Sequence, residues 1–502
     1  MGEFAPRIGF AWSPSGEGAW SRFTGGPGKF SIRGGFGFYY DRTEEESSLE
    51  TLTTPPFGLS SAGVNDYAPT GTVLTPGFAN PYQDINAGAV YANKFPYAFP
   101  TPGAAINWAK LEPVAKSSYA PGFRAPYAEN FQLTLEREFA SRIVTRLSYV
   151  GSLAHRNQVD PEGNYETAAG HAACLAATTT CSAFTVGTAT SPTAPIASTN
   201  ANNQAKNYPT NTIFGAIDPN TGLTGFTSIG QVSSEGSSNY NALQASVEKA
   251  YTHGFSFQFS YTFSHALDNG SSFEGSGFGG TNGRGYNQFQ PGLNYGSSTY
   301  DARQRLVFAP IYTTPILHGT NWYSPMNLAL SGWQISGIVT VATGFPYDFT
   351  VGGSNSLWCS SSNTFYACPD IPVQIAPLQT ANPRTSPRLS GLPIWYQNTG
   401  ASFREEPIGQ FGNTSRNEYH GPGINNTNLI LAKNFNLSAD GVRRLQIRME
   451  SDNVFNHTQF TNPTAALSQT FNPNTNIFSG SPGTISTAQA ARQTQLAAKF
   501  YF

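Results

Sequence analysis

Between Phe255 and His265 the chain alternates strictly, with Phe255, Phe257, Phe259, Tyr261 and Phe263 separated by Ser256, Gln258, Ser260, Thr262 and Ser264. Successive side chains of a β-strand point to opposite faces, so this segment has one apolar and one polar surface. The division recurs at Phe131, Leu133 and Leu135 against Gln132, Thr134 and Glu136, and at Ile143, Leu147 and Tyr149 against Arg146 and Ser148. It recurs again at Leu445, Ile447 and Met449 against Gln446, Arg448 and Glu450, while Phe30, Ile32, Phe36, Phe38 and Tyr40 oppose Ser31, Arg33 and Tyr39. About eleven such strands are predicted, near 4–12, 29–40, 126–139, 142–155, 237–250, 253–266, 302–316, 331–352, 424–435, 442–457 and 491–502. Many exceed the roughly 5–6 residues usual in soluble sheets and the roughly 9–11 that a tilted strand needs to cross a bilayer. No segment carries a 3.6-residue apolar stripe.

The connections alternate in length. Short or modest ones (13–28, 140–141, 251–252, 317–330, 436–441) take every odd position. The even positions hold 41–125, 156–236, 267–301, 353–423 and 458–490, all rich in Gly, Pro, Ser, Thr and Asn. Structureless loops this long argue against a compact soluble domain. Short turns on one side and long loops on the other are the habit of outer-membrane barrels, with the short side periplasmic. The expected fold is therefore all-β, an antiparallel transmembrane β-barrel with long extracellular loops.

Composition agrees. Charged residues are 12% of 502, about half the globular norm, and the net charge of −2 gives no electrostatic bias towards nucleic acid. Aromatics at 13% are too abundant for a disordered coil. No stretch approaches the roughly 20 apolar residues of a spanning helix, and a mean hydropathy of −0.31 suits strands whose faces alternate. The start, MGEFAPRIGFAW, carries no basic segment followed by an apolar core, so no signal peptide is read there. A barrel has an even number of strands and begins and ends in the periplasm; eleven is odd, so at least one strand is expected upstream.

The cysteines form two close pairs, Cys174 with Cys181 and Cys359 with Cys368, without CxxC spacing or an intervening His that would complete a metal set. Loop-closing disulfides in an oxidising compartment are expected over free thiols. Enzyme chemistry finds little support: HExxH, GxSxG, the P-loop and the EF-hand loop are absent. Gly275–Gly280 matches GxGxxG but runs on into a Gly-rich loop, and Asp218–Gly222 reads as a turn. Seven histidines (155, 171, 253, 265, 318, 420, 457) scatter over loops and strand ends, and no Ser or Asp singles one out as a base. Glu44–Glu46 reads as a solvated loop run. No catalytic residue, metal or cofactor is expected.

Six charges fall on polar strand faces: Arg33, Glu136, Arg146, Glu248, Arg448 and Glu450. They either line a passage and dock a plug, or pair across neighbouring strands; the residues weigh these equally. The aromatic strand ends Phe38–Tyr40 and Phe500–Phe502 suit interfacial girdles.

Several phrases carry a family resemblance. Phe4–Trp12 (FAPRIGFAW), Ile32–Arg42 (IRGGFGFYYDR), Gly412–Asn417 (GNTSRN) with Gly421–Gly423, Glu450–His457 (ESDNVFNH) and Arg492–Phe502 (RQTQLAAKFYF) resemble the Oar-like TonB-dependent transporters. The resemblance covers the strands but little of the long loops. It implies a carboxypeptidase-regulatory-like domain, a plug and a barrel of about 22 strands. Residues 1–502 would then be a partial barrel, the C-terminal half, lacking plug and signal peptide. Its implied surroundings are the bacterial outer membrane and its lipid. The implied partners are TonB, contacted through the missing N-terminal part, and the barrel-assembly machinery, which would read Phe500 and Phe502. The substrate stays open between sugar and peptide. A surface-exposed structural or adhesive barrel that binds partners through its loops is the alternative, and an outer-membrane hydrolase a weaker third.

Overall fold

The structure is a computed structural model. It describes residues 3–58, 101–161, 226–271, 290–351 and 371–502, apart from a few positions within those stretches. Thirteen strands form one sheet among the described residues, and eleven make its main order: β1 (Arg7–Trp12), β2 (Phe30–Tyr40), β3 (Tyr127–Phe139), β4 (Ile143–Val159), β5 (Phe226–Thr252), β6 (Phe255–Asp268), β7 (Gln304–Thr313), β8 (Trp333–Ala342), β9 (Ile424–Asn436), β10 (Arg444–Asp452) and β11 (Gln493–Tyr501). Off that order, Val114–Tyr119 pairs parallel with β5 and Gly296–Ser297 antiparallel with β6. Each of the eleven pairs antiparallel with the next in chain order. Among the described residues β1 and β11 are the two ends of that order and do not pair with each other.

Register turns the one-dimensional alternation into two surfaces. One row runs Ile32, Leu135, Leu147, Ala245, Tyr261, Leu306 and Val341 across seven strands. The adjacent row, one residue along each strand, runs Ser31, Glu136, Arg146, Ser246, Ser260, Val307 and Thr340. A one-residue slip in any strand would exchange the two faces, so the pattern itself holds the register. The apolar face is left open, with Leu133, Leu147, Leu243, Phe263, Ile335, Ile447 and Leu496 all exposed. An open apolar face this wide is a surface for lipid, not for water.

The short turns follow from local chemistry. His253 and Gly254 link β5 to β6 with φ of 52° and 79°, the two left-handed residues of a two-residue hairpin. A Cβ on Gly254 would sit 2.4 Å from the Thr313 carbonyl oxygen, so this position takes only glycine. A 3-10 turn, Ala140–Arg142, joins β3 to β4.

Three expectations need correction. The strand placed at 331–352 ends at Ala342, because Gly344 passes so close to Gly421 that a Cβ there would lie 1.8 Å from its carbonyl oxygen. Beyond that crossing the chain leaves the sheet. The described parts of the loops read at 353–423 and 458–490 are built: Pro346–Tyr347 pairs with Tyr419–His420, Thr350–Val351 with Ala466–Leu467, Val373–Gln374 with Phe403–Arg404, and Gln379–Thr380 with Tyr396–Gln397. Helices also occur, at Glu45–Thr53 and Pro325–Leu330, where no stripe was read. Glu45 and Glu46 of the acidic run therefore open a helix instead of lying in a loop. Both helices are too short for the periodicity to register.

The buried hydrophobic cluster lies in this loop assembly, not in the sheet. Tyr347, Phe349, Val351, Phe403, Tyr419 and Leu467 pack together, with Phe349 ring centroids 4.9 Å from Phe403 and 5.0 Å from Tyr419. A folded cap thus stands at the long-loop end of the wall.

Candidate functional site

The polar face carries all six charges that the alternation singles out. Successive register pairs (Arg33 with Thr134, Glu136 with Arg146, Glu248 with Gln258, Glu450 with Ile430) place them on one side of the sheet. Three form a chain across neighbouring strands: Glu136 lies 3.6 Å from Arg33 and 2.9 Å from Arg146. Arg448 and Glu450 pair along their own strand, and Gln495 of β11 donates to Glu450. Pairing across strands thus accounts for the first three. These groups are partly exposed, so Glu136→Gln is expected to cost at most about 1 kcal/mol in urea unfolding; a loss several times larger would show the chain to be a buried structural lock.

Glu248 makes no ion pair among the described residues. It faces a cavity of about 1080 Å³ whose lining runs from Arg142 and Val144 at the start of β4 across to Gln493–Gln495 of β11, the end of the sheet. Because distant strands share one cavity, the polar face is concave. Glu450 and Asp452 join Glu248 there, alongside Ser256, Gln258, Ser336 and Asn428. Of the two lining cations, Lys249 is committed elsewhere, donating to Thr252 Oγ1 at 2.7 Å and to the Phe255 carbonyl at 2.9 Å. The hollow mixes polar and apolar lining, Ile311, Ile338 and Ile430 among the latter, and acids outnumber cations among its charged residues. Its lining suits a solvated passage or the docking of a polar surface.

A clamp that the sequence did not single out holds the cap to the wall. Arg416, 1% exposed, donates from Nη1 to the Asp268 carboxylate, to the Asp268 carbonyl at 2.6 Å and to the Asn294 carbonyl at 3.3 Å. Its Nη2 reaches Ser271 Oγ at 2.5 Å. Next to it, the Asn417 amide donates to Asp348 Oδ1 and its side chain to the Ser297 carbonyl at 2.6 Å. The signal was the phrase GNTSRN, noted for its resemblance and not for its chemistry. ESDNVFNH behaves alike: Asn453 and His457 close a turn through reciprocal 2.9 Å bonds, and Asn453 N–H donates to Asn428 Oδ1 at 3.0 Å.

Among the histidines, His265 Nδ1 lies 2.9 Å from Asp301, an acid partner that spacing did not supply. Asp301 is 1% exposed and also accepts the Ala266 amide at 3.0 Å, so it fastens the end of β6. His155 stacks on Tyr127, centroids 5.0 Å apart, with Glu129 3.5 Å away. His171, His318, the four cysteines, Gly275–Gly280 and Asp218–Gly222 lie outside the described residues. At the end of β11, Phe500 and Phe502 stack with centroids 6.2 Å apart and stand exposed.

Burial in the cap lowers the affinity of His420 for a proton, against the opposing pull of Asp301; Arg303 and His265 add to the lowering. Burial likewise raises the phenols of Tyr347 and Tyr396 above their ordinary value. A histidine depressed in the folded state binds fewer protons than in the open chain, so falling pH favours opening. Tyrosines raised in the folded state make rising alkalinity favour opening. With the intrinsic pH dependence of amide exchange divided out, protection over 371–423 is expected to be highest between about pH 6.5 and pH 10 and to fall on either side. Protection unchanged down to pH 5 would contradict the burial of His420.

A curved antiparallel sheet, apolar on its open side and polar on its hollow side, defines a wall of the outer-membrane type. The family model for the outer membrane beta barrel domain matches residues 1–495, and the chain belongs to that family. Its place is the bacterial outer membrane. No curated protein matches. Among solved structures the chain is similar to the outer membrane transporter YddB of Escherichia coli (10% identity, TM-score 0.40, covering 94% of this chain and 39% of that one). It is also similar to the ferripyoverdine receptor of Pseudomonas aeruginosa (8%, 0.37, covering 100% and 33%) and to the FrpB iron transporter of Neisseria meningitidis (8%, 0.36, covering 98% and 38%). The chain spans less than two fifths of the length of each.

Proposed function

We propose that the chain is the C-terminal half of the barrel of an Oar-like, TonB-dependent outer-membrane transporter, and that the whole protein takes up a sugar or peptide substrate. The observation that carries this reading is the concave polar wall with its acid-rich hollow, backed by an apolar face. In this reading Glu248, Glu450, Arg448, Arg33, Glu136 and Arg146 line the lumen against a plug, and TonB is contacted from the N-terminal part. Phe500 and Phe502 serve as the signal to the barrel-assembly machinery. Cys174–Cys181 and Cys359–Cys368 are disulfides of extracellular loops, and the chain performs no enzyme chemistry.

Parity supports the half-barrel. Strands alternate in direction, so β1 and β11 of the described sheet run the same way. Closing them on each other would need a parallel pair, which an even-stranded antiparallel barrel never contains. An odd number of further strands completes the ring. The folded cap favours one second reading, an adhesive or structural barrel that presents the cap to a partner. Sequencing the coding region upstream separates the two. A continuous frame encoding a plug-like segment and further alternating strands is expected; a passenger domain in that place would favour adhesion and overturn transport.

A further inference from the structure

The connection between β7 and β8 is inside-out. Its helix, Pro325–Leu330 (PMNLAL), buries its one polar residue, Asn327, to 2% exposure, while Met326 and Leu330 stand 57% and 55% exposed. Leu328 and the preceding Tyr323 are also exposed. A helix at a water-facing turn has the opposite polarity, with apolar residues inward. Here the inward side is held by polar bonds. Asn327 accepts no help from solvent: its amide N–H donates to Ser324 Oγ at 3.2 Å, its side chain to the Asn321 carbonyl at 3.0 Å, and its carbonyl accepts Ser331 Oγ at 2.5 Å.

The helix end is closed against water in the same way. The Ala329 carbonyl accepts Trp333 Nε1 at 2.8 Å and Lys433 Nζ at 3.4 Å, and Lys433 also donates to the Ser331 carbonyl. Lys433 is 6% exposed and lies between the Trp333 and Phe435 rings, 5.1 Å and 5.4 Å from their centroids. Trp333 and Lys433 are register partners, on the same sheet face as Ile335, Leu431 and Ile447. The exposed helix therefore continues the apolar face of the wall. The Asn327 and Ala329 carbonyls are bonded within the protein, the exposed side chains are hydrocarbon, and Lys433 with the aromatics Tyr323 and Trp333 sits at the boundary, as such groups do at bilayer interfaces.

We propose that Pro325–Leu330 is a membrane foot that lies in the phospholipid of the periplasmic leaflet, pinned to the wall by Lys433. Met326, Leu328 and Leu330 enter the acyl boundary, and Tyr323 and Trp333 sit at headgroup level. The foot lies on the lipid side, so it neither lines the hollow nor depends on what the protein transports.

Nitroxide accessibility tests it, on the full chain in outer-membrane vesicles of the expressing cell, with Cys174, Cys181, Cys359 and Cys368 replaced by serine. Labels are placed singly at Leu330→Cys, with Met326→Cys on the same helix face as a second variant should the first fail to assemble. Ile335→Cys on the lipid face and His253→Cys in a short turn serve as references. At 330 and 326 oxygen is expected to relax the label more than nickel-EDDA does, as at 335 and the reverse of 253. A nickel-accessible label matching position 253 would overturn the proposal by placing the helix in water. A label shielded from both reagents would overturn it too, by showing a protein surface, such as a second copy, over the helix.

Discussion

Leu147→Arg is expected to destabilise the inserted sheet by about 2–4 kcal/mol, the cost of a guanidinium on the lipid face near the bilayer midplane. Leu147 belongs to the apolar row with Leu135, Ala245 and Tyr261. Tyr261 stands six residues above the start of β6 at Phe255; at a rise of about 3.3 Å per residue and a tilt near 40° that is about 15 Å, half the hydrocarbon thickness. Gln244→Arg, on the polar face of β5 opposite Ser148 and Thr262, is expected to change stability by less than about 0.5 kcal/mol. Urea unfolding in lipid vesicles reads both. Equal costs on the two faces would remove the basis for a membrane wall.

The second large effect is local. Arg416→Ala leaves the Asp268 carboxylate, 5% exposed, without its cation. Breaking one side of a buried pair costs about 3–5 kcal/mol because the remaining charge stays desolvated. The sheet does not need Arg416, so the loss is expected in the cap: exchange at Phe349, Phe403 and Tyr419 rises while β5 and β6 keep their protection. Replacing Asp268 by Asn in the same chain is expected to return part of the loss, since the orphaned charge is then gone. A uniform loss of protection over sheet and cap would mean that the clamp holds the wall itself.

The wall was legible and the cap was not, for one physical reason. A strand with lipid on one side and water on the other must alternate over its whole length, and Phe255–Asp268 or Tyr127–Phe139 therefore announce themselves in sequence. The eleven strands of the main order lie near the positions where the alternation puts them, with different ends: β5 begins at Phe226 rather than 237, and β8 stops at Ala342. Val114–Tyr119, inside a stretch read as loop, is a further strand of the same sheet. The cap is built from two-residue ladders and from residues far apart in the chain, such as Tyr347 with Tyr419 or Arg416 with Asp268. Nothing periodic links such positions. The six charges of the polar face were found because parity alone places them; the Arg416 clamp was missed because burial of an arginine is a tertiary fact. The helix Pro325–Leu330 escaped for a third reason, since its polarity makes sense only once its surroundings are known.

The central claim is that one face of this sheet meets lipid and the other meets water. A label scanned singly through positions 257–262 of β6, in vesicles of the outer membrane, measures that directly. The alternation predicts lipid contact at 257, 259 and 261 and access by a water-soluble reagent at 258, 260 and 262, a period of two sustained through the strand. Uniform water access along the scan, or protection without alternation, would contradict it and return the chain to the class of soluble sheets.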